Sequence, residues 1–299
     1  MNKKANAPLK VTYDCIPCAI GSIITLFKKG LVADEKQEPA MRALLDYLSK
    51  IDYNQSPPLL GQQMHRIIRT VLKNPDPYYE IKQRFNRLML DYYSELTKLV
   101  EQAGDPFQMA LRLAIAGNVI DFGPNQPFDI TKTLEQAKSI VLAIDDSKSL
   151  QKSIDRAKTL LYLGDNAGEI VMDRIFLETI EHPNIYFAVR GAPIINDATI
   201  EDAQLVGIDK MAKVISNGDD APGTILENTS DEFRGIFHKA DLIISKGQGN
   251  YEGLNGCREN IYFILMAKCE HVANHLGVRK GDFLVKKNNY ISIKKHCFK

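Results

Sequence analysis

The hydrophobic positions follow two different patterns along the 299-residue chain. From Cys15 to about Gln102, apolar residues recur at the spacing of an amphipathic helix, as they do at Leu60, Met64 and Ile67. Prolines fall near the starts of these stretches, where a helix tolerates them. The pattern predicts about five helices, near residues 19–27, 39–48, 59–72, 76–102 and 105–120.

The pattern changes beyond the loop-like segment 123–127, where short apolar runs alternate with helical stretches. Strands are predicted at residues 140–144, 160–163, 185–189, 213–215, 242–245, 261–267 and 283–285, with helices at 167–180, 198–206 and 231–239. This alternation is typical of crossover connections in a parallel sheet. The chain is therefore predicted to be an α/β protein: a three-layer core with a largely parallel sheet (residues 126–299), plus an N-terminal all-helical domain (residues 1–125).

Charge and cysteine content narrow the class of protein. The 38 basic and 37 acidic side chains nearly cancel, and no clustered basic excess indicates a nucleic-acid partner. The N-terminus lacks the apolar run of a secretory signal, and no apolar stretch is long enough to span a membrane. The five cysteines are an odd number spread over a long chain, as in proteins that keep reduced thiols. We therefore expect a cytoplasmic protein; the sequence does not indicate its oligomeric state.

Polar residues follow four of the predicted strands, at residues 164–169, 190–197, 216–220 and 246–250. Ligands of open α/β sheets bind outside the carboxyl ends of the strands, so these clusters predict a site at that edge. Asp165, Asn166 and Asp197 supply two carboxylates and one amide, a set that suits Mg²⁺ or Mn²⁺. The alternative is structural: Asn166 and Glu169 have the spacing of a capping box, and Asp197 could cap the helix that follows it.

The segment 246–250 has the residues of an anion site. Lys246 would supply positive charge, and Gly247 and Gly249 would let the backbone approach a phosphate closely. The alternative is a tight turn with a solvent-exposed lysine. The glycine spacing does not match the dinucleotide fingerprint, which weakens a dehydrogenase interpretation.

Cys15 and Cys18 form an isolated CxxC pair, a candidate for a second metal site or a redox site. A structural zinc needs four ligands, which Cys269 and His271 could complete. The alternative is a pair of buried, inert thiols.

Six ordered motifs resemble a known family. They are DCIPC (14–18), AGNVIDFG (116–123), GDNAGE (164–169), GAPIINDAT (191–199), ISNG (215–218) and KGQGN (246–250). Together they resemble the metal-dependent damage-control phosphatases (ARMT1-like, long known as domain of unknown function eighty-nine), in the CxxC-containing archaeal and bacterial branch. The resemblance implies hydrolysis of small phosphorylated metabolites with Mn²⁺, Co²⁺, Ni²⁺ or Mg²⁺. It also implies that Asp165, Asn166 and Asp197 hold the metal and that Lys246 contacts the phosphate.

The working hypothesis is a phosphatase in which the metal polarises a phosphoryl oxygen and either a water or Asp165 attacks phosphorus. Gly247, Gly249 and Asn250 are candidates for substrate binding, as are Asn217 and, more weakly, Asp220 at the rim. Asn118 and Asp121 could reach the site from the helical side. Sugar phosphates, nucleotides and coenzyme A precursors are the candidate substrates. Two alternatives remain open: an S-adenosylmethionine-dependent carboxyl methyltransferase, which the resemblance also implies, and a non-enzymatic module that binds a phosphometabolite.

Overall fold

A mixed sheet of seven strands forms the centre of the structure, a computed structural model that describes residues 8–117, 135, 137 and 139–288. The strands are β1 (Leu142–Asp145), β2 (Leu160–Leu163), β3 (Ile185–Val189), β4 (Lys213–Ser216), β5 (Leu242–Lys246), β6 (Ile261–Met266) and β7 (Phe283–Lys287). Their order is β1-β7-β6-β5-β2-β3-β4. The five strands from β6 to β4 are parallel, whereas β7 runs antiparallel to β6 and carries β1 with it. The predicted α/β fold with a largely parallel sheet is confirmed.

Within residues 8–117, six helices precede the sheet: α1 (Cys15–Lys28), α2 (Asp34–Leu48), α3 (Pro57–Leu72), α4 (Tyr79–Asp91), α5 (Tyr93–Glu101) and α6 (Pro106–Ala116). The predicted helix 76–102 is two helices in the structure. Tyr92 interrupts it, because its φ of −93° and ψ of −2° lie in the bridge region of the Ramachandran plot rather than in the α-helical region. Local signals explain several starts. Two prolines begin α3, and the Asp105 side chain accepts a hydrogen bond from Gln108 N at the start of α6.

Six further helices lie between or after the strands among the described residues: α7 (Ser147–Arg156), α8 (Glu169–Ile180), α9 (Ile200–Leu205), α10 (Asp231–Lys239), α11 (Gln248–Leu254) and α12 (Glu270–Leu276). The sequence predicted α8, α9 and α10 but not the other three. Two glycines in the seven residues of α11 explain that omission, since glycine gives little helical signal. No helix of the described part of the chain is long and apolar enough to cross a membrane.

Side chains of β2 show how the sheet is covered on both faces. Leu160 and Tyr162 pack toward α4–α8, whereas Leu161 and Leu163 pack toward α10–α12. This alternation is the pleat of a strand with a helical layer on each side, which gives the predicted three layers.

The helical part of the chain divides into two groups by its packing. Helices α1–α3 enclose a hydrophobic cluster of their own, which includes Ala19, Leu44 and Ile68. Helices α4–α6 contribute Phe85, Leu111 and other residues to the cluster that covers the sheet. The predicted domain boundary at residues 125 and 126 lies outside the described residues, so the two-domain division stays a prediction.

Candidate functional site

Two loops at the carboxyl edge of the sheet are joined through their main chains. One follows β2 and the other follows β3. Ala167 N donates to Asn196 O at 2.8 Å and Ala198 N donates to Asp165 O at 2.8 Å, which makes an isolated antiparallel bridge between Asn166 and Asp197. The backbone therefore places the three predicted metal ligands, Asp165, Asn166 and Asp197, side by side.

Neither structural alternative for these residues is seen. The N-cap of helix α8 is Gly168 rather than Asn166, and it makes no side-chain cap hydrogen bond. Asn166 Nδ2 instead donates to Glu169 Oε2 and to Asp165 Oδ2, both at 2.8 Å. Because the amide nitrogen is held by two carboxylates, the amide oxygen is the atom that can be presented to a cation. The N-cap of α9 is Thr199 rather than Asp197, with Asp202 completing a capping box.

Arg190 lies between the two predicted carboxylate ligands, a position that the sequence analysis did not single out. Its side chain is 3% exposed. The guanidinium donates from Nε to Asp197 Oδ2 at 2.6 Å, and its Nη2 lies 3.7 Å from Asp165 Oδ1. The signal available in the sequence was its place directly after the apolar run of β3. Arg190 offsets part of the charge of the carboxylates and fixes the orientation of Asp197.

Burial and mutual repulsion disfavour the ionised form of the Asp165 and Asp197 carboxylates. Burial, followed by the charges of Glu169 and Asp197, raises the pKa of Asp165 to about 7. Burial also raises the pKa of Asp197, although the positive charges of Arg190 and Lys268 oppose that rise. Lys268 is exposed and lies two residues beyond β6, a strand end that the sequence analysis did not consider. A concentration of buried negative charge of this kind is what a divalent cation would relieve.

The structure places Lys246, the predicted phosphate contact, inside the core rather than at the surface of the site. The last residue of β5 points into the core with its side chain fully buried. Its Nζ donates to Ala114 O at 2.8 Å, to Glu169 Oε1 at 2.7 Å and to Asp173 Oδ1, so all three donors of the ammonium are used. Burial lowers the pKa of this lysine, but the two carboxylates outweigh burial and the net shift is upward. Lys246 is therefore a buried cation beneath the site.

A continuous polar network joins that buried cation to the predicted ligands. Tyr162 Oη donates to Asp173 Oδ1 at 2.7 Å, and Glu169 accepts from both Lys246 and Asn166. Burial alone would raise the pKa of Glu169, but Lys246 and Asn166 reverse this and hold it below its ordinary value. Glu169 thus stays ionised and fixes the amide of Asn166.

The predicted substrate residues of the 246–250 segment have structural roles. Asn250 is fully buried, and its amide is used on both sides: Oδ1 accepts from Thr224 and Arg190, while Nδ2 donates to Lys246 O and Gly164 O. At Gly249, a Cβ would lie 2.0 Å from Pro222 O. Both residues hold loops together, and their contacts with substrate stay predictions.

Gly247 and Asn217 lie closer to the predicted ligands. Gly247 has φ +81°, and a Cβ there would lie 2.1 Å from Asp165 Oδ2, so only glycine fits beside this carboxylate. Asn217 is buried, and its Oδ1 accepts from Gly191 N and Asp219 N. Its Nδ2 has no hydrogen-bond partner among the residues that the structure describes. Substrate contacts of Gly247 and Asn217 stay predictions.

The remaining predicted residues lie elsewhere. Asn118 and Asp121 fall outside the described residues. Asp220 does not face open solvent at a rim, because Arg66 and Arg69 of α3 bind its carboxylate. Burial alone would raise the pKa of Asp220, but the two arginines outweigh burial and lower it to about 2.

Cys15 is the first residue of α1 and Cys18 lies in its first turn; the Cys15 Sγ is 3.4 Å from Thr12 N. Both thiols are free, and their metal or redox role stays a prediction.

Helices α3 and α4 hold the loops of the site from the helical side, through residues that the sequence analysis did not identify. Asn86 of α4 is fully buried; its Oδ1 accepts from Gly168 N at 2.7 Å and its Nδ2 donates to Asp202 Oδ1 at 2.8 Å. Gln62 of α3 donates to both Asp219 and Asp220. A polar residue on the buried face of a helix was the available signal.

A cavity of about 500 Å³ lies between the helical part and the loop after β3. Cys18 of α1 and Lys29 directly after it line the cavity, together with His65 of α3. Tyr78 directly before α4 and Phe85 within it complete the helical side. Ile195 and Asn196, directly before Asp197, form the wall on the side of the sheet. The volume falls in the range of small-molecule sites.

Across the described residues, no group of three or more His, Cys, Asp or Glu side chains is arranged to hold a metal ion. The set at the bridged loops has two carboxylates and one amide. Such a set can still bind a hard cation, because Mg²⁺ and similar ions keep several waters and take few protein ligands.

Comparison with known proteins identifies relatives over nearly the whole chain. Residues 11–284 match the family described as damage-control phosphatase ARMT1-like domain. The chain is similar to the "Damage-control phosphatase PH1575" of Pyrococcus horikoshii, 36% identical over 292 residues, with 94% of this chain and 99% of the relative covered. A "Damage-control phosphatase" of Archaeoglobus fulgidus is 35% identical over 292 residues, with 93% and 99% covered.

A relative of unassigned activity and a solved structure agree with these matches. The "Uncharacterized protein MJ0202" of Methanocaldococcus jannaschii is 35% identical over 287 residues, with 92% of this chain and 94% of the relative covered. The crystal structure of a DUF89 family protein (PH1575) from Pyrococcus horikoshii superposes with a TM-score of 0.85 at 34% identity. It covers 94% of this chain and 99% of the other.

Proposed function

We propose a site and a mechanism on the premise that this chain belongs to the damage-control phosphatase ARMT1-like domain family. It is a phosphatase, as its relatives of about 35% identity over most of the chain are named. Small phosphorylated metabolites are its proposed substrates, and Asp165, Asn166 and Asp197 its proposed metal ligands. The observation that carries the proposal is the main-chain bridge between Asn166 and Asp197, which brings these three side chains together.

The chemistry of the donor set fits a divalent cation. Asp165 and Asp197 are buried carboxylates whose pKa values are raised, and Asn166 is oriented by Glu169 so that its amide oxygen can act as a ligand. When bound, Mn²⁺, Mg²⁺, Co²⁺ or Ni²⁺ would act as a Lewis acid on a phosphoryl oxygen. The donor set alone does not select among these ions, since all accept oxygen ligands.

Positive side chains of the protein complete the proposed site for a phosphate dianion. Arg190 holds Asp197, and its Nη2 is buried without a hydrogen-bond partner in the described part of the protein, so it can donate to a phosphate oxygen. Lys268 is exposed, and its charge acts on Asp165 and Asp197. We assign to Lys268 the phosphate contact that was first expected of Lys246, because Lys268 can move to a ligand and Lys246 cannot.

The nucleophile in this proposal is either a water or the Asp165 carboxylate. The pKa of about 7 allows Asp165 to hold or release a proton near neutral pH in the absence of a cation. The backbone of Gly247 packs directly against Asp165 Oδ2, which limits the rotation of that carboxylate. The cytoplasmic location remains part of the proposal and rests on the cysteine usage of the chain.

Hydrolysis of p-nitrophenyl phosphate, with and without added Mn²⁺, tests this assignment. We expect metal-dependent turnover that falls at least about 100-fold in Asp165→Asn and Asp197→Asn, since even second-sphere changes at metal sites cost 10–100-fold. Calorimetry with Mn²⁺ alone should show weakened binding in both variants. Metal-independent turnover, or full activity in either variant, would contradict the proposal.

The assignment of Lys268 has its own matched control. Lys268→Met should raise KM for the phosphate ester roughly tenfold, as expected for the loss of one charge-assisted contact. Lys239→Met removes an exposed lysine at the end of α10 and should leave KM unchanged. Equal KM values in the two variants would remove Lys268 from the site. Saturable binding of S-adenosylmethionine would instead favour the methyltransferase alternative.

A further inference from the structure

The cavity beside the proposed metal ligands has a lining that the phosphatase chemistry does not explain. Its volume of about 500 Å³ corresponds to roughly seventeen water molecules at their share of liquid volume, far more than a phosphate group needs. Asn196 belongs to the cavity wall and Asp197 follows it directly, so the cavity opens next to the proposed phosphate position. In agreement with this placement, burial and then the charge of Asp197 raise the pKa of Tyr78, another lining residue.

Among the residues that the structure describes, apolar atoms make up most of the cavity walls and no carboxylate lines them. Leu26, Ile81, Phe85 and Ile195 provide hydrocarbon surface, and Lys29 is the one permanently charged residue of this described lining. Half of the lining residues have polar side chains. Such walls suit the uncharged, partly apolar part of a ligand, with polar atoms fixing its orientation.

His65 supplies a polar atom with no assigned role. The ring is 4% exposed, and Nε2 has no hydrogen-bond partner among the described residues. Buried polar groups are nearly always paired, so an unpaired one in a cavity wall indicates a ligand that pairs with it. Burial, followed by the charge of Arg69, lowers the pKa of His65 to about 4, which keeps the ring neutral near pH 7. A neutral imidazole recognises an uncharged hydrogen-bonding group.

Ile195 is held in a conformation that isoleucine rarely adopts. Its φ is +45°, in the left-handed region, where a β-branched side chain is strained. Strain of this kind persists where the surrounding structure requires it, and it concentrates at ligand sites. Here the strain places an isoleucine side chain on the cavity wall two residues before Asp197.

We propose that this cavity is the leaving-group site and selects phosphomonoesters whose alcohol part is uncharged, partly apolar and bulky, with Ile195 against the apolar surface and His65 Nε2 bonded to a polar atom. The inference rests on the proposed function, because it takes the phosphate to lie at Asp165, Asn166 and Asp197. It extends that function by naming the class of substrate and the residues that choose it. Aryl, nucleoside and acyl-chain alcohols with hydrogen-bonding atoms belong to this class.

The test compares the wild type with Ile195→Gly on benzyl phosphate and methyl phosphate, two alkyl esters that differ in the bulk of the alcohol. The wild type should prefer benzyl phosphate in kcat/KM. Ile195→Gly should reduce that preference roughly tenfold, the size expected for lost apolar contact in a pocket. Glycine accepts φ +45° without strain, which offsets part of the stability lost with the side chain, and the circular dichroism spectrum of the variant checks that it is folded.

Glu181→Gly is the matched control. Glu181 also has a positive φ, +46°, but it ends α8 away from the cavity. This variant relieves the same backbone strain and should keep the wild-type preference. A wild type without preference for benzyl phosphate, or equal preferences in Ile195→Gly and Glu181→Gly, would overturn the inference.

His65→Phe tests the hydrogen bond while keeping an aromatic ring. At least one of the isomeric pyridylmethyl phosphates should be preferred over benzyl phosphate by the wild type, and this difference should disappear in His65→Phe. If the wild type distinguishes none of the isomers from benzyl phosphate, His65 has no such role. Failure of the proposed function is separately visible, because the wild type would then hydrolyse none of these esters with metal present.

Discussion

The buried ammonium of Lys246 gives the sharpest prediction for stability. Its three partners are Ala114 O, Glu169 and Asp173. The side chains of Lys246, Glu169 and Asp173 are all inaccessible to water. Lys246→Met removes the charge, keeps most of the volume of the side chain and leaves two carboxylates in the core without a cation. Breaking a buried ion pair by removing one partner costs roughly 3–5 kcal/mol, so the free energy of unfolding should fall by about that amount.

The loss should depend on pH in a defined direction. Without the ammonium, burial places the folded-state pKa values of Glu169 and Asp173 above their unfolded values. Groups with raised folded-state pKa values contribute stability at low pH and lose it as pH rises through those values. The difference between wild type and Lys246→Met should therefore be larger at pH 8 than at pH 5. Adding Asp173→Asn to the variant should restore part of the loss, because it removes one of the two uncompensated charges.

Urea unfolding followed by circular dichroism at the two pH values measures this effect. Lys50→Met is a control, since Lys50 pairs with Asp46 on the surface with both side chains 68% exposed. Such surface pairs contribute about 0–1 kcal/mol. A change below about 1 kcal/mol in Lys246→Met, or a change that is the same at both pH values, would refute the description of Lys246 as a buried structural cation.

Three further predictions concern packing and titration. Gly249→Ala should lower the free energy of unfolding by about 1–3 kcal/mol, because the added Cβ would clash with Pro222 O. Gly235→Ala in α10 is the control: it has open space around it and should leave the free energy of unfolding unchanged or raise it by up to about 1 kcal/mol. Equal effects of the two variants in urea titrations would contradict this prediction. The folded-state pKa of Asp220 lies below its unfolded value, at about 2, so its contribution is present above the unfolded pKa. The difference in free energy of unfolding between wild type and Asp220→Asn should be constant from pH 5 to 8 and should shrink between about pH 4 and 2. If the difference already shrinks at pH 6, ionisation of Asp220 is not its cause. The His65 ring should show no protonation shift by NMR between pH 8 and 5, since its pKa is about 4; a midpoint near pH 6.5 would mean that the ring is exposed.

The sequence predicted the sheet well because its signal is local. Strands β2 and β3 were predicted with the bounds that the structure has, since each is a short apolar run between polar segments. The polar residues that follow β2 and β3 in the sequence also predicted that the loops of Asp165 and Asp197 would be neighbours. Parallel strands place their carboxyl ends at one edge, so adjacency follows once the strands are recognised.

The role of Lys246 could not be obtained in the same way, because its partners are distant in sequence. Glu169 and Asp173 precede it by 77 and 73 residues. The available signal was their spacing of four on the otherwise apolar segment of α8, which indicates two acids on a buried helix face. Such a pair requires a cation inside the core, and a lysine ending a buried strand is the natural candidate.

The glycines after β5 show a second limit of interpretation from residue types. Gly249 and Gly253 lie four residues apart on α11, and a Cβ at either position would lie 2.0 Å from a carbonyl oxygen of the segment 222–224. Gly249, which suggested a phosphate site in the sequence, therefore allows a helix to pack closely on a loop. Glycine marks a close approach of backbone in both cases, and only the fold shows what approaches.

The main-chain bridge between Asn166 and Asp197 has a consequence for the proposed metal site. Because backbone hydrogen bonds join the loops, and Arg190 and Lys246 offset much of the acidic charge, we expect the loops to keep their positions without a cation. Metal binding would then be a separate, reversible step, and divalent ions would exchange at the site without unfolding. The ion carried by any given preparation should accordingly follow supply in the growth medium as much as intrinsic affinity.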